Sequence, residues 1–246
     1  MYASFFGLDE NPFNLTPDPK YLFLSPGHKE ALVHLHYGIN QKKGFIAVTG
    51  GIGTGKTTLL RVLLNSLKED IKSALIFNSF LSDMELLKAI GQEFNIFSGS
   101  RSGTKKELID ELNLFLLENF KSGGNAVVLI DEAQNLSRDV LEQIRMLSNL
   151  ETEKEKLIQI ILVGQPELKD LLSSPPLRQL EERITVRYEL NPLAYEDINK
   201  YVEHRIMVAG GHGDLKFTRD AVKKIYRFSR GNPRQINSLC DRTLLV

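Results

Sequence analysis

Hydrophobic positions along the chain fall into two alternating regimes. Short apolar runs at "GFIAVTG" (44–50), "SALIFN" (73–78), "NAVVLIDEAQ" (125–134), "KLIQIILVGQPEL" (156–168) and "ITVRYEL" (184–190) read as strands. Between them, "KTTLLRVLLNSL" (56–67), "DMELLKAIGQEF" (83–94) and "KKELIDELNLFLLENF" (105–120) carry apolar residues at helical spacing, with "SGSRSG" (98–103) as a loop. A further helix runs from the third strand to about residue 150, and "LKDLLSSPPLRQLEER" (168–183) is a helix broken by Pro-Pro. Strands alternating with helices imply an α/β fold, a three-layer parallel sheet covered on both faces.

The regime changes at both ends. After Asn191, three helical patterns follow without a strand: "NPLAYEDINKYVEHRIMVAG", "TRDAVKKIYRFSRG" and "PRQINSLCDRTLLV". Residues 1 to about 27 are rich in Phe, Pro, Asn and Asp and read as an irregular or extended arm, after which Ser25 caps the helix in "SPGHKEALVHLHYGI". The expected divisions are therefore 1–43, an arm and first helix packing on the core; 44–190, the α/β domain; and 191–246, a small all-helical domain.

Composition narrows the classes. Hydrophobic residues at 42% and charged residues at 25% describe an ordinary folded chain, while 31 Lys+Arg against 31 Asp+Glu leave no net charge to advertise a nucleic-acid partner. The single cysteine, Cys240, excludes an internal disulfide and reads as a small buried hydrophobe in a reducing compartment. "MYASFFGLDENPF" lacks the basic segment and apolar run of a signal peptide, and stretches such as "AVVLI" are too short to span a bilayer. The expectation is a cytoplasmic chain with no membrane span. It stops in an apolar-periodic segment, "CDRTLLV", with no helix-ending Gly or Pro, which predicts that the natural polypeptide continues.

Two motifs carry chemistry. "GGIGTGKTT" places Gly50, Gly51, Ile52, Gly53, Thr54, Gly55, Lys56, Thr57 and Thr58 between a strand and a helix, with G-x-x-x-x-G-K-[ST] spacing. Glycines let the backbone curl so that successive N–H groups face phosphate oxygens, and the helix N-terminus adds its positive dipole end. Lys56 is expected to reach the β- and γ-phosphates and the Thr57 hydroxyl to coordinate Mg²⁺. The second motif, "VVLIDE" (127–132), is a dry strand delivering two carboxylates at its C-terminal end, where ligands bind in open α/β folds. Asp131 is expected to hold the metal and Glu132 to orient and polarise the attacking water. In isolation such a pair also serves as a helix cap and a surface charge; downstream of a phosphate loop the chemical reading is favoured.

The pair identifies a P-loop NTPase, and the remaining elements resemble the AAA+ superfamily, in which a helical lid follows the α/β domain. That resemblance places Gln165 at the sensor-1 position, although Gly164 and Pro166 also suit it to a turn. It implies an arginine finger acting on a neighbouring subunit, with Arg183 first by position, Arg178 as the alternative and Arg187 fitting worst; local Glu181 and Glu182 make a surface ion pair the bland alternative. It also makes Arg234, in the first turn of a helix whose dipole disfavours its charge, the sensor-2 contact to the γ-phosphate.

"FFGLDENPFNLTPDPKYLFLSPGHKEALVHLHYGI", "GGIGTGKTTLLR", "VLIDEAQNL", "LVGQPEL" and "GNPRQIN" together resemble the bacterial general secretion pathway protein A (ExeA-like) ATPases over nearly the whole chain. The resemblance implies a cytoplasmic, Mg²⁺-dependent ATPase assembling into a homo-oligomer, ring or helical, with an inner-membrane or export-system partner. It offers Pro12 and Phe13 as contacts to adenine; Phe5, Phe6 and Phe13 serve equally well to staple the arm to the core. In secretion members a transmembrane helix and a peptidoglycan-binding domain follow, and this sequence has neither, so the secretin role carries over only if the polypeptide continues to the inner-membrane face. A DNA-bound adaptor ATPase of transposition is the competing class, against which the zero net charge weighs.

Overall fold

The computed structural model describes residues 2–77, 80–97, 103–152 and 155–245. Of the expected "SGSRSG" loop only Gly103 lies among them, and Asn78, the last residue of the expected second strand, lies outside. Two compact units emerge: Leu32–Gly50 with Leu63–Glu189, and Met1–Ala31 with Gly51–Val62 and Leu190–Val246.

The sheet comprises β1 (Phe45–Gly50), β2 (Ile71–Ile76), β3 (Asn125–Ile130), β4 (Gln159–Gly164) and β5 (Ile184–Leu190), in the order β2-β3-β4-β1-β5. The β1–β4, β3–β4 and β2–β3 ladders are parallel. β4 is buried at every position and β3 at all but its first, as expected of central parallel strands that read as unbroken apolar runs. β2 starts two residues before the expected run, because Ile71 and Lys72 pair with Asn125 and Ala126 and the ladder recruits a residue that apolar patterning does not mark.

The first helices are α1 (Tyr2–Phe5), α2 (Pro26–Asn40), α3 (Lys56–Ser66), α4 (Asp83–Glu93), α5 (Lys105–Lys121) and α6 (Arg138–Leu147). The Pro-Pro break separates α7 (Glu167–Leu172) from a 3-10 turn at Pro175–Leu177 and the short α8 (Arg178–Glu181). α4 and α5 open on capping boxes, Ser82 with Glu85 and Thr104 with Glu107. Leu86 and Ile90 of α4, Leu112 and Leu116 of α5 and Leu141 and Ile144 of α6 close over Val128, Ile160 and Leu162 of the sheet in one apolar cluster.

In the other unit, α9 (Tyr195–Val208), α10 (Arg219–Ser229) and α11 (Pro233–Leu244) build a core with the arm: Tyr2, Leu8 and Phe13 join Ile198, Tyr201, Ile206, Ile236 and Cys240. The arm is therefore not uniformly extended. It coils into α1 and into a 3-10 turn at Pro19–Tyr21 capped by Asp18, which carry the buried Tyr2 and Tyr21. Cys240 is fully enclosed, and burial pushes its thiol up to about 12. The α10–α11 junction turns on Arg230 and Asn232. Arg230 takes the left-handed cap at φ 49°, and Asn232 begins α11, its Oδ1 accepting from Arg234 N and Gln235 N. A helix start needs a side-chain acceptor for its free N–H groups, and Asn232 supplies it.

Gln159 opens β4 fully buried, and neither amide atom has a partner among the described residues. An unpaired buried polar group costs about 1–3 kcal/mol. Gln159→Leu is expected to raise the thermal unfolding midpoint by several degrees, read by circular dichroism; a lower midpoint would show that the amide is satisfied.

Candidate functional site

β1 runs directly into the glycine loop, and α3 begins at Lys56. Gly53 and Gly55 take φ +78° and +98°, where L side chains are strained. They are also crowded: a Cβ on Gly53 would stand 2.6 Å from Arg234 Cβ, and one on Gly55 would stand 2.9 Å from His28 Nε2. Glycine is thus required here by conformation and by contact. Thr57 and Thr58 follow in the first turn of α3, half-buried.

The carbonyl groups of four consecutive loop residues are each engaged. Gly51 O accepts from Thr54 Oγ1 (2.9 Å) and from Lys56 Nζ (3.0 Å), and Ile52 O accepts from Asn232 Nδ2 (2.6 Å). Gly53 O receives Arg234 N at 3.4 Å, and Thr54 O faces His28 Nε2 at 3.1 Å. Lys56 is 6% exposed, so its ammonium belongs to the loop and not to solvent. The start of α11 therefore rests on the phosphate loop, with Arg234 in its first turn and exposed, its Cβ above Gly53.

In the sheet-bearing unit, Asp131 follows the last residue of β3 and is 2% exposed; its Oδ1 accepts from Glu132 N at 2.9 Å. Glu132 adopts a left-handed backbone at φ 52°, ψ 37°, a conformation rare for a side-chain-bearing residue and frequent at functional sites. Its Oε2 accepts from Gln134 Nε2 (2.6 Å) and from Gln165 Nε2 (3.1 Å), while Gln134 Oε1 accepts from Gln165 N (2.9 Å). The structure thus brings Glu132 and Gln165 together and adds Gln134 as the amide bridging them. Gly164 makes room for it: a Cβ there would lie 2.7 Å from Gln134 Oε1.

Magnesium prefers hard oxygen donors and keeps several waters, so one hydroxyl and one carboxylate suffice to seat it. The Thr57 hydroxyl in one unit and the buried Asp131 carboxylate in the other are each donors of that chemistry, and among the described residues there is no cluster of three His, Cys, Asp or Glu side chains.

The two finger candidates differ sharply. Arg183 Nη1 donates to Arg145 O (3.2 Å), Ser148 Oγ (2.7 Å) and Asn149 Oδ1 (2.7 Å), closing the C-terminal end of α6, where a cation also suits the helix dipole. Arg178 has a side chain 79% exposed and, among the described residues, pairs with Glu182 at i,i+4. Arg187 donates to Glu181 O. In the arm, Pro12 is buried and its carbonyl accepts from Arg205 Nε, while Phe13 is 1% exposed and meets Phe217 edge-on at 6.4 Å. Phe5, by contrast, is 83% exposed.

Sequence reading passed over Gln134, Asn232, His28 and Arg205. Gln134 stands two residues past Glu132, too close to separate from the carboxylate motif, and Asn232 reads as a helix end. His28 hides in a capped helix start. Arg205 did leave a signal: with Ile198, Tyr201, Val202 and Ile206 it falls on the buried face of α9, where a cation needs partners, and it finds the Pro12 and Asn14 carbonyls and the Tyr21 ring at 4.4 Å.

A strand, a phosphate-type loop, a helix, and a second strand ending in paired carboxylates define a P-loop nucleotide-binding protein, and the chain belongs to the AAA domain family, which matches residues 39–172. It is 48% identical over all 246 residues to General secretion pathway protein A of Aeromonas hydrophila and spans 45% of that protein's length. Among solved structures it resembles Cdc6p of Pyrobaculum aerophilum at TM-score 0.71 and 17% identity, covering 97% of this chain and 66% of that one. It likewise resembles the Aeropyrum pernix ORC2 protein, solved in ADPNP-ADP complexes, at TM-score 0.69 and 17% identity, covering 94% and 64%. At such identities these structures speak for the fold alone.

Because Arg183 closes a helix end and Arg178 does not, their truncations separate. Arg183→Ala is expected to cost about 1–3 kcal/mol of stability through the three hydrogen bonds lost at the end of α6, and Arg178→Ala within about 0.5 kcal/mol of none. Denaturant unfolding of both variants checks this, and equal midpoints would contradict it.

Proposed function

We propose that this chain is a Mg²⁺-dependent ATPase that works as a homo-oligomer and serves a bacterial secretion or envelope-export system from the cytoplasmic side. The observation that carries the nucleotide reading is the loop in which Gly51, Ile52, Gly53 and Thr54 all turn their carbonyls to internal donors. Trans peptides are planar, so an engaged carbonyl aims the next residue's N–H the opposite way; Thr54 N–H turns back to Gly51 O (3.3 Å), which leaves the N–H groups of Ile52, Gly53 and Gly55 in the arrangement that receives phosphate oxygens. The likeness to General secretion pathway protein A supports the export assignment.

In this reading Gly50 through Thr58 wrap the phosphates, and Lys56 leaves Gly51 O for the β- and γ-phosphate oxygens. Thr57 and Asp131 would hold Mg²⁺, which when bound would supply positive charge to offset that of the phosphates. Glu132 orients the water that attacks the γ-phosphate, its carboxylate aimed by Gln134 and Gln165. Arg234 reports the γ-phosphate to α11. Arg178 is the residue with the freedom to reach a neighbouring subunit's nucleotide, and Arg183 supports the surface from which it projects. Phe13 is packed into the core of its own unit and Pro12 is buried beside it with its carbonyl held by Arg205, so the arm's part in seating adenine is to hold this backbone in place.

Phosphate release decides the chemistry. Glu132→Gln should bind ATP normally and hydrolyse it about 10²-fold or more slowly than wild type; indistinguishable rates would end the hydrolysis claim. Mixing Arg178→Ala with Glu132→Gln subunits should recover part of the activity, since each supplies what the other lacks. No recovery would remove Arg178 from a role in trans.

A further inference from the structure

His28 is a buried imidazole with no place in the chemistry described above. It lies in the first turn of α2, 3% exposed, where the Ser25 cap accepts from its backbone N–H at 3.3 Å. Its Nδ1 lies 2.7 Å from Ser25 Oγ and its Nε2 lies 3.1 Å from Thr54 O. A carbonyl can only accept, so Nε2 carries the proton and Nδ1 takes the Ser25 hydroxyl proton. The two bonds fix the tautomer and the ring plane together. Burial holds the imidazole below its ordinary pKa, which keeps this neutral form in place.

The geometry points to His28 as a positioning residue for the nucleotide's phosphates: its Nε2–H pins the Thr54 carbonyl and thereby aims the Gly55 N–H into the phosphate cradle. The inference rests on the nucleotide reading proposed above and adds the arm as a working part of the loop. The planar Thr54–Gly55 peptide makes the coupling rigid, since its carbonyl and its N–H must point in opposite directions. Gly55 is the residue that lets the ring approach: any Cβ there would collide with Nε2 at 2.9 Å. The other outside grips on the loop come from α11, through Asn232 to Ile52 O and Arg234 N to Gly53 O. His28 ties the loop to the arm's end of the chain at this peptide.

The test compares two amides of equal polarity and different reach. The Gln amide nitrogen extends to about the position of Nε2, whereas Asn ends near Nδ1. A fluorescent N-methylanthraniloyl-ATP is titrated with Mg²⁺ into the full chain of wild type, His28→Gln and His28→Asn, alongside steady-state ATP hydrolysis. His28→Gln is expected to bind within about threefold of wild type and His28→Asn about tenfold or more weakly, the size of one lost hydrogen bond with its acceptor left buried. The hydrolysis readout is a KM raised to match with kcat within about twofold, the signature of lost binding that ground and transition state share. Equal affinities for all three proteins overturn the inference while leaving the nucleotide reading intact. Absence of binding by wild type overturns both. Should His28→Asn not melt cooperatively, His28→Gln decides: binding about tenfold weaker than wild type overturns the role, and near-wild-type binding supports it.

Discussion

The structure turns on a peptide-geometry constraint at residues 51–55. A phosphate loop works only if its N–H groups converge, and planar trans peptides make that convergence equivalent to sending the carbonyls outward to partners. Gly51 O is met from within by Thr54 and Lys56; Ile52 O, Gly53 O and Thr54 O are met by residues far away in sequence. The loop, the arm and the last helix accordingly cluster as one compact unit. Much of what surrounds them exists to hold those partners still. Asn232 is fixed by capping α11, His28 by Ser25, and the arm by Arg205 inside the core that Phe13 and Tyr201 share.

The sheet-bearing unit solves a different problem, that of presenting a carboxylate in one orientation. β3 is buried until Ile130 and then breaks into a left-handed residue, which turns the Glu132 side chain toward two amides. Strain at Glu132 is offset by those bonds and by the Asp131 Oδ1 to Glu132 N contact. Gln134 joins the strand end of β3 to the strand end of β4, so a displacement of Gln165 and a displacement of Glu132 are mechanically linked.

Much of this was legible in the amino-acid order, and the reasons are physical. β3 and β4 announced themselves because parallel strands buried on both faces must be apolar throughout, and the phosphate loop because positive φ at Gly53 and Gly55 admits little else. The arm's coils escaped notice: Tyr2 and Tyr21 drive them through long-range burial, to which local patterning is blind. Arg178 and Arg183 share one short segment and one charge, and only folding reveals that three acceptors at the end of α6 claim the second. His28 follows the Ser25 cap and Asn232 reads as a helix end, local roles that account for the sequence so well that a second purpose leaves no trace.

The chain belongs to the AAA domain family, and the central proposal is that the loop from Gly50 to Thr58 seats a nucleoside triphosphate. Calorimetric titration of ATP with Mg²⁺ into wild type and Lys56→Ala tests it most directly. The account predicts saturable binding by wild type, displaced by ADP, and a loss of affinity of about tenfold or more when the buried ammonium is removed. Binding that is absent in wild type, or undiminished in Lys56→Ala, would contradict it.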